Sequence, residues 1–280
     1  MISRQTALQY AIQQLQHLDT PRLDADILLA HALHISRAQL YAWSEKLLDD
    51  EQWQQFKQLI AQRVQHKPIA YLVGHKEFWS LDLQVNSATL IPRPETELLV
   101  EQALKYIPTA KQAVIIDLGT GSGAIALALA QECPHARIIA VDVNPQALEI
   151  AEVNAKTLQL DNVQFYLSHW LQNIPALKAQ LIVSNPPYIA SDDPHLKQGD
   201  VQYEPQQALI SGLDGLDDIR QISLQAKQYL LSGGYLLFEH GYNQQKAVQK
   251  ILIQQDYKYV ETVKDLAGQA RVSLGQWNTA

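Results

Sequence analysis

Apolar residues recur at helical spacing through the first 70 residues. Leu8, Ala11, Ile12 and Leu15 fall at i, i+3, i+4 and i+7. Leu23 and Ile27 repeat the stripe, with Pro21 at a helix start. Trp53, Phe56, Leu59, Ile60 and Val64 share one face behind Asp49 and Asp50, whose charge suits a helix N-terminus. No strand is predicted here, so residues 1–70 are expected to form a small all-α bundle ended by Pro68. From Tyr71 to Val85 the pattern changes. Gly74 is followed by Phe78, Leu81, Leu83 and Val85 in near-alternation, which predicts a short hairpin inside a linker spanning 71–90. In Leu90-Ile91-Pro92-Arg93-Pro94-Glu95-Thr96-Glu97, Pro94 fits the first position of a helix, with Thr96 and Glu97 in its first turn.

Residues 91–280 read as a second domain in which strands and helices alternate. Strands are predicted at 113–118, 137–141, 163–166, 181–184 and 234–239, and helices at 123–131, 145–158, 216–231 and 244–254. Alternation of this kind implies an α/β fold with a doubly wound parallel sheet of Rossmann-like type. Two last strands, 257–263 and 270–275, have no helix between them and imply an antiparallel edge.

Composition narrows the classes. The 280 residues are 47% hydrophobic, enough for a real core, and 18% charged, with 35 scattered glutamines. A net charge of −7 argues against a chain that lives on bare nucleic acid, which needs a basic stripe. One cysteine, Cys133, excludes a disulfide framework and a Cys-x-x-Cys metal site. His31 and His34 lie three apart on a helix without an HExxH pattern or thiols nearby, so no metal site is expected. The start does not read as a secretory segment, and the longest purely apolar stretch, Ala124–Ala130, is far short of a bilayer span. A soluble, cytoplasmic protein without membrane contact is expected.

Candidate chemistry sits at two strand ends. Val114–Leu118 runs into Gly119-Thr120-Gly121-Ser122-Gly123 and then a helix. Glycines permit positive φ and close approach of a ligand. By itself this loop is a weak signal, because Gly119, Gly121 and Ala124 also satisfy the dinucleotide pattern G-x-G-x-x-A. Asp117, at the strand's carboxyl end, would repel a pyrophosphate and attract an ammonium group. S-adenosyl-L-methionine has that ammonium and no phosphate, so it fits better than NAD. Asp142 ends the next strand, where an acid serves ribose hydroxyls in either cofactor; a helix-capping role is the alternative, with Asn144 competing for it. Trp170 follows a third strand and is placed to lie against adenine or to be an ordinary, partly buried aromatic.

Ser184-Asn185-Pro186-Pro187-Tyr188 is the most specific signal. Two prolines lock φ and remove two N–H donors. What remains is a rigid array of acceptors, the Asn185 side-chain oxygen and the Pro186 carbonyl, suited to the two hydrogens of a planar NH2. Tyr188 offers a flat face beside it.

Taken together, 117–123, Asp142 and 185–188 resemble a class I S-adenosylmethionine-dependent methyltransferase acting on a planar nitrogen. The segment 90–97, Phe238-Glu239-His240-Gly241 and the helical N-terminal domain narrow the resemblance to the PrmC/HemK family of peptide chain release factor glutamine methyltransferases. It extends over essentially the whole chain. It implies methyl transfer to the side-chain amide of the glutamine in a Gly-Gly-Gln loop of class 1 release factors. On this reading Asn185, Pro186 and Tyr188 are catalytic, and Pro187 joins them in holding the substrate. Gly119, Thr120, Gly121, Ser122, Gly123, Asp142, Trp170 and Asn185 bind the cofactor, and the N-terminal bundle contacts the release factor. His169 departs from the family pattern, in which an acid often precedes the aromatic.

Two other readings stay open at this level. An adenine or guanine amino-methyltransferase uses the same tetrad, although no basic target-recognition segment is visible. A non-catalytic cofactor-binding module is the other, although it has no need of the intact tetrad. The bundle could equally serve dimerisation. Arg93 is expected to pair with a carboxylate near the cleft, its place unassigned, and Glu239, at a strand end, either approaches the site or makes a structural hydrogen bond. Residues 181–220 hold seven acids against two bases. The bland reading is a solvated loop. The sharper expectation is that Asp192, Asp193, Asp200 and Glu204 form an acidic rim that steers a basic protein loop.

Overall fold

The computed structural model describes residues 2–108 and 113–279. The chain divides into two compact units. One runs to His75 and takes in Leu196–Tyr203; the other comprises Lys76–His195 and Glu204–Ala280.

The first unit holds helices α1 (Arg4–Gln14), α2 (Pro21–Ala32), α3 (Arg37–Ala42), α4 (Asp50–Val64) and α5 (Ile69–Val73). Ser3, Ser36 and Asp49 accept N-terminal backbone N–H groups, so the polar residues between the apolar stripes are the helix caps. Leu8, Leu15, Leu28, Leu29, Leu40, Phe56 and Ile60 form the core. The expectation of no strand is corrected. β1 (Ile2–Ser3) and β2 (Leu47–Leu48) pair antiparallel. Two-residue strands are too short to carry an alternation. Pro68 precedes helix α5 rather than ending the helical run, so the hairpin is shorter than 71–85. Inside this unit Arg63 donates to Asp24 at 2.7 Å and to Asp200 at 2.6 Å, and the Tyr203 hydroxyl donates to the Gln65 carbonyl. These bonds fasten the segment 196–203 to α4 and the turn after it.

In the second unit β3 (His75–Phe78) and β4 (Leu81–Gln84) form the hairpin, closed by Trp79 and Ser80, both at positive φ. A short 3-10 turn, Pro94–Thr96, leads into α6 (Glu97–Lys105). Then follow β5 (Val114–Leu118), α7 (Ala124–Glu132), β6 (Arg137–Asp142), α8 (Pro145–Thr157), β7 (Val163–Leu167) and β8 (Ala179–Ser184). α9 (Asp217–Ala226), β9 (Leu230–Glu239), α10 (Gln245–Gln254), β10 (Lys258–Lys264) and β11 (Ala270–Trp277) complete it. The predicted helix 216–231 ends five residues early. There the chain turns, and the Tyr229 carbonyl accepts from Ala179 N at the start of β9.

These strands make a seven-stranded sheet in the order β10-β11-β9-β8-β5-β6-β7. β7, β6, β5, β8 and β9 are parallel, and β11 is antiparallel to both β9 and β10. Side chains alternate across it. Ile115, Leu127, Leu129 and Leu99 pack on one face; Ile116, Leu118, Ile219, Ile222 and Leu252 pack on the other. After β5 the chain builds outward to β6 and β7, then returns to lay β8 on β5's other edge. Strand order therefore reverses between β5 and β8. Ligands bind at the carboxyl ends of strands at such a reversal. The two ends are tied by Ser184 Oγ, which donates to the Leu118 carbonyl at 2.7 Å. Among the described residues no helix is long and apolar enough to cross a membrane.

Candidate active site

A cavity of about 360 Å³ opens at this reversal. Gly119 and Gly121 line it from the β5 turn, Asp142 and Asn144 from β6, Ser168, His169 and Trp170 from β7, and Asn185 and Pro187 from β8. Thr89, Leu90, Pro205, Gln207, Ala208, Ile210 and Asp218 are also part of its wall.

The glycine loop divides in two. Gly119 and Gly121 face the cavity; Thr120, Ser122 and Gly123 are not among its lining residues. Thr120 donates its hydroxyl to Asp117 Oδ2 at 2.7 Å. Ser122 offers its carbonyl to Asn154 Nδ2 at 2.9 Å. Gly123 starts α7 at φ +87°, where a Cβ would lie 2.9 Å from Leu127 Cδ1. These three build the turn that the other two present. At Gly119, φ is +77° and the Trp170 ring approaches to 3.4 Å of where a Cβ would stand. Only glycine combines that backbone with that neighbour.

Asp117 is fully buried, and its Oδ1 has no hydrogen-bond partner. Burial pushes its carboxyl up to about 7, against the pull of Thr120 and the Ala126 N–H. Asp142 accepts from Gly121 N at 2.8 Å through one oxygen and from Asn144 N at 2.9 Å through the other. Its carboxyl is raised by burial and drawn back by these N–H groups. The helix cap is Asn144, whose side chain accepts from Gln146 N. Trp170 Nε1 donates to Asp218 Oδ1 at 3.1 Å, and Asp218 Oδ2 accepts from Ser211 Oγ at 2.7 Å. The indole is thus held edge-on with its ring against the glycine turn.

At the end of β8 Pro186 is buried and Asn185 partly so. Asn185 Nδ2 donates to Thr96 Oγ1 at 3.2 Å, while Oδ1 is buried without a partner. Tyr188 donates its hydroxyl to Glu239 Oε1 at 3.3 Å, and its carbonyl accepts from Gln244 Nε2 at 2.9 Å. Burial and the Glu239 charge raise the Tyr188 phenol far above its ordinary range. Glu239 is itself buried and pushed up to about 7, with Thr96, Arg271 and Tyr188 pulling the other way. Thr96 and Glu239 thus position the tetrad. From sequence Thr96 is a helix-start residue and Glu239 is open between the site and a structural hydrogen bond.

The acidic rim is corrected. Glu204 is buried, paired with Arg93, and accepts from Ile91 N at 3.1 Å. Asp200 is bound to Arg63, and Asp193 accepts from both the backbone and the ring of His195. Asp214 and Asp217 pair with Arg220. Most of this segment's acids are paired within the chain; Glu204 is buried, while Asp193, Asp200, Asp214 and Asp217 stay at the surface beside their partners. The Arg93–Glu204 pair anchors the segment that continues into Pro205, Gln207 and Ala208 of the cavity wall.

Comparison with known proteins agrees with this geometry. The family described as PrmC N-terminal domain matches residues 6–74, and the methyltransferase small domain matches residues 94–200. The release factor glutamine methyltransferase of Escherichia coli is 48% identical over 96% of this chain and 97% of its own. That of Aliivibrio fischeri is 45% identical over 99% and 98%. That of Pseudomonas aeruginosa is 48% identical over 94% and 95%. A methyltransferase structure from Pyrococcus furiosus, 18% identical, matches 78% of this chain and 98% of its own with a TM-score of 0.55, which establishes the fold. With the glycine turn, the Asn-Pro-Pro-Tyr strand end and near-complete overlap with these relatives, the chain belongs to the release factor glutamine methyltransferase family.

Proposed function

We propose that the protein transfers a methyl group from S-adenosyl-L-methionine to the side-chain amide nitrogen of the glutamine in the Gly-Gly-Gln motif of class 1 peptide chain release factors. The observation that carries this reading is the buried, unpartnered Asn185 Oδ1 at the carboxyl end of β8. It is an acceptor for which the protein supplies no donor, and an amide NH2 supplies one.

The residues present fit the cofactor. Gly119, Gly121 and Trp170 give a tight apolar wall and Asp142 a carboxylate for hydroxyl groups; Asp117, whose buried Oδ1 has no partner, is not among the lining residues. When bound, S-adenosylmethionine supplies an electrophilic methyl group on a sulfonium sulfur.

An amide nitrogen is a poor nucleophile because its lone pair is delocalised into the carbonyl. Asn185 Oδ1 and the Pro186 carbonyl each accept one N–H and hold the nitrogen with its lone pair turned out of conjugation. As positive charge develops on nitrogen, these two preorganised dipoles stabilise it. Tyr188, fixed through Glu239, supplies a flat surface that orients the amide plane, an entropic share of the barrier. No base has to act first, since an N-methylated amide cation loses its proton readily to water.

Incubating the protein with labelled S-adenosylmethionine and either purified release factor or nucleic acid tests the reading. Label on the release factor glutamine supports it. Label on RNA or DNA alone assigns the tetrad to a base instead.

A further inference from the structure

At Trp170 φ is +52°, a left-handed backbone state that bulky residues seldom adopt. The indole is pinned at two opposite edges. Its benzo edge, Cζ3 and Cη2, stands 3.4 and 3.7 Å from where a Cβ would lie on Gly119. At its pyrrole edge Nε1 donates to Asp218 Oδ1 at 3.1 Å. Asp218 is held in turn by Ser211, which is buried. The Ser211 hydroxyl donates to Asp218 Oδ2 at 2.7 Å and accepts from Asp218 N at 2.9 Å. Oδ2 is thereby occupied and Oδ1 is left for the indole. Ser211 N donates to the carbonyl of Ile189, the residue directly after the Asn-Pro-Pro-Tyr turn.

Asp218 belongs to a longer fixture. Asp218, Gln221 and Gln225 are spaced i, i+3 and i+7, so they share one face of α9. Gln221 Nε2 lies 3.4 Å from His169 Nδ1, and Gln225 Oε1 accepts from Leu171 N at 3.3 Å. Tyr229, just beyond the helix, donates its hydroxyl to the Leu171 carbonyl at 2.8 Å. One polar face of α9 thus grips residues 169–171, and His169 and Trp170 line the cavity.

We propose that Asp218 is a positioning residue for the cofactor, setting the plane of the Trp170 indole through its N–H. Once this bond is gone, rotation of the ring about χ2 is resisted only by van der Waals contact. The flat wall against which S-adenosylmethionine packs then loses its fixed orientation. Asp218 itself lines the cavity, so the rival role is a direct contact with the cofactor. The two roles separate in a background without the indole N–H.

The inference rests on the proposed use of S-adenosylmethionine, and the test distinguishes the two. Equilibrium binding of S-adenosylmethionine and methylation of purified release factor are measured for wild type, Asp218→Ala and Asp218→Asn, and for Trp170→Phe with and without Asp218→Ala. Asp218→Ala is expected to raise the Kd and KM for cofactor about 10-fold, as loss of a hydrogen bond to a charged group does, while kcat at saturating cofactor changes far less. Asp218→Asn keeps an acceptor oxygen for the indole and recovers most of the affinity. In the Trp170→Phe background Asp218→Ala costs less than about 2-fold, because Asp218 acts through the indole. Asp218→Ser, a residue suited to a helix start but too short to reach the indole, gives the same loss should the alanine variant fold poorly. A second readout needs neither substrate nor cofactor. The chain has five tryptophans, and the indole N–H resonance missing from Trp170→Phe identifies Trp170 in nitrogen-15 NMR spectra. That resonance is expected to move upfield in Asp218→Ala and to stay near wild type in Asp218→Asn. An affinity loss of equal size in both backgrounds, or a Trp170 resonance unmoved by Asp218→Ala, overturns the proposal while leaving the methylation reading standing. A wild type that binds no S-adenosylmethionine overturns both.

Discussion

The backbone N–H of Gly121 donates to the Asp142 carboxylate at 2.8 Å, joining the turn after β5 to the end of β6. The bond fixes the carboxylate at the cavity wall while leaving it further lone pairs. Asp142→Ala removes both this anchor and the acceptor for cofactor hydroxyls. A hydrogen bond to a charged group is worth about 1.5–3 kcal/mol, so cofactor affinity is expected to fall about 10–100-fold. Equilibrium binding of S-adenosylmethionine measures it, and an unchanged dissociation constant removes Asp142 from the site.

Asn185→Ala deletes one preorganised acceptor. Loss of a single such dipole costs about 10²–10³ in rate. The methyl-transfer rate is expected to drop by that factor while cofactor affinity changes far less, because Asn185 contributes only part of the cavity wall. Single-turnover kinetics with saturating cofactor separates the two effects. Full transfer by this variant contradicts the acceptor mechanism.

Much of this site was legible because its parts are local. Gly119–Gly123 and Asn185–Tyr188 are each one turn following one apolar strand, and a turn's chemistry is written in consecutive residues. Strands β5, β6 and β8 are buried on both faces and read as near-continuous apolar runs. Long-range partners were not legible. Thr96 meets Asn185 across 89 positions, and Glu204 meets Arg93 across 111. No periodicity encodes either contact. Glu204 looked like one acid in a solvated run, yet it is interior, because its bond with Arg93 offsets the desolvation that burial imposes. The β1–β2 pair was invisible for a different reason, since two residues cannot show a period of two.

The Glu204 carboxylate accepts from both Arg93 and Ile91 N. Glu204→Ala leaves a buried N–H unsatisfied and strips Arg93 of its partner. Each unmade buried bond costs about 1–3 kcal/mol. Urea unfolding is expected to show a loss of about 2–4 kcal/mol, and weaker cofactor binding is expected with it, because the segment that continues into Pro205 and Gln207 loses its anchor. Wild-type stability in this variant contradicts the anchoring role.

Burial raises the Glu239 carboxyl to about 7 in the folded protein, despite Arg271, Thr96 and Tyr188, with Glu95 adding to the rise. The folded state therefore holds this proton more tightly than the unfolded chain does. Its contribution to stability is complete below the ordinary glutamate range and is lost as pH rises through about 7. Glu239→Gln, which stays neutral, is expected to lose less stability than wild type between about pH 5 and 8. Urea midpoints across that range measure the difference. Parallel profiles for the two proteins contradict a strained, buried charge at this position.

In the proposed mechanism the reacting atom is a planar amide nitrogen held by Asn185. Tandem mass spectrometry of a release factor methylated with isotopically labelled S-adenosylmethionine tests it most directly. The expected result is one labelled methyl on the side-chain amide of the Gly-Gly-Gln glutamine, strongly diminished when Asn185→Ala replaces the wild type. Label on another residue or only on nucleic acid, or an undiminished signal from Asn185→Ala, contradicts it.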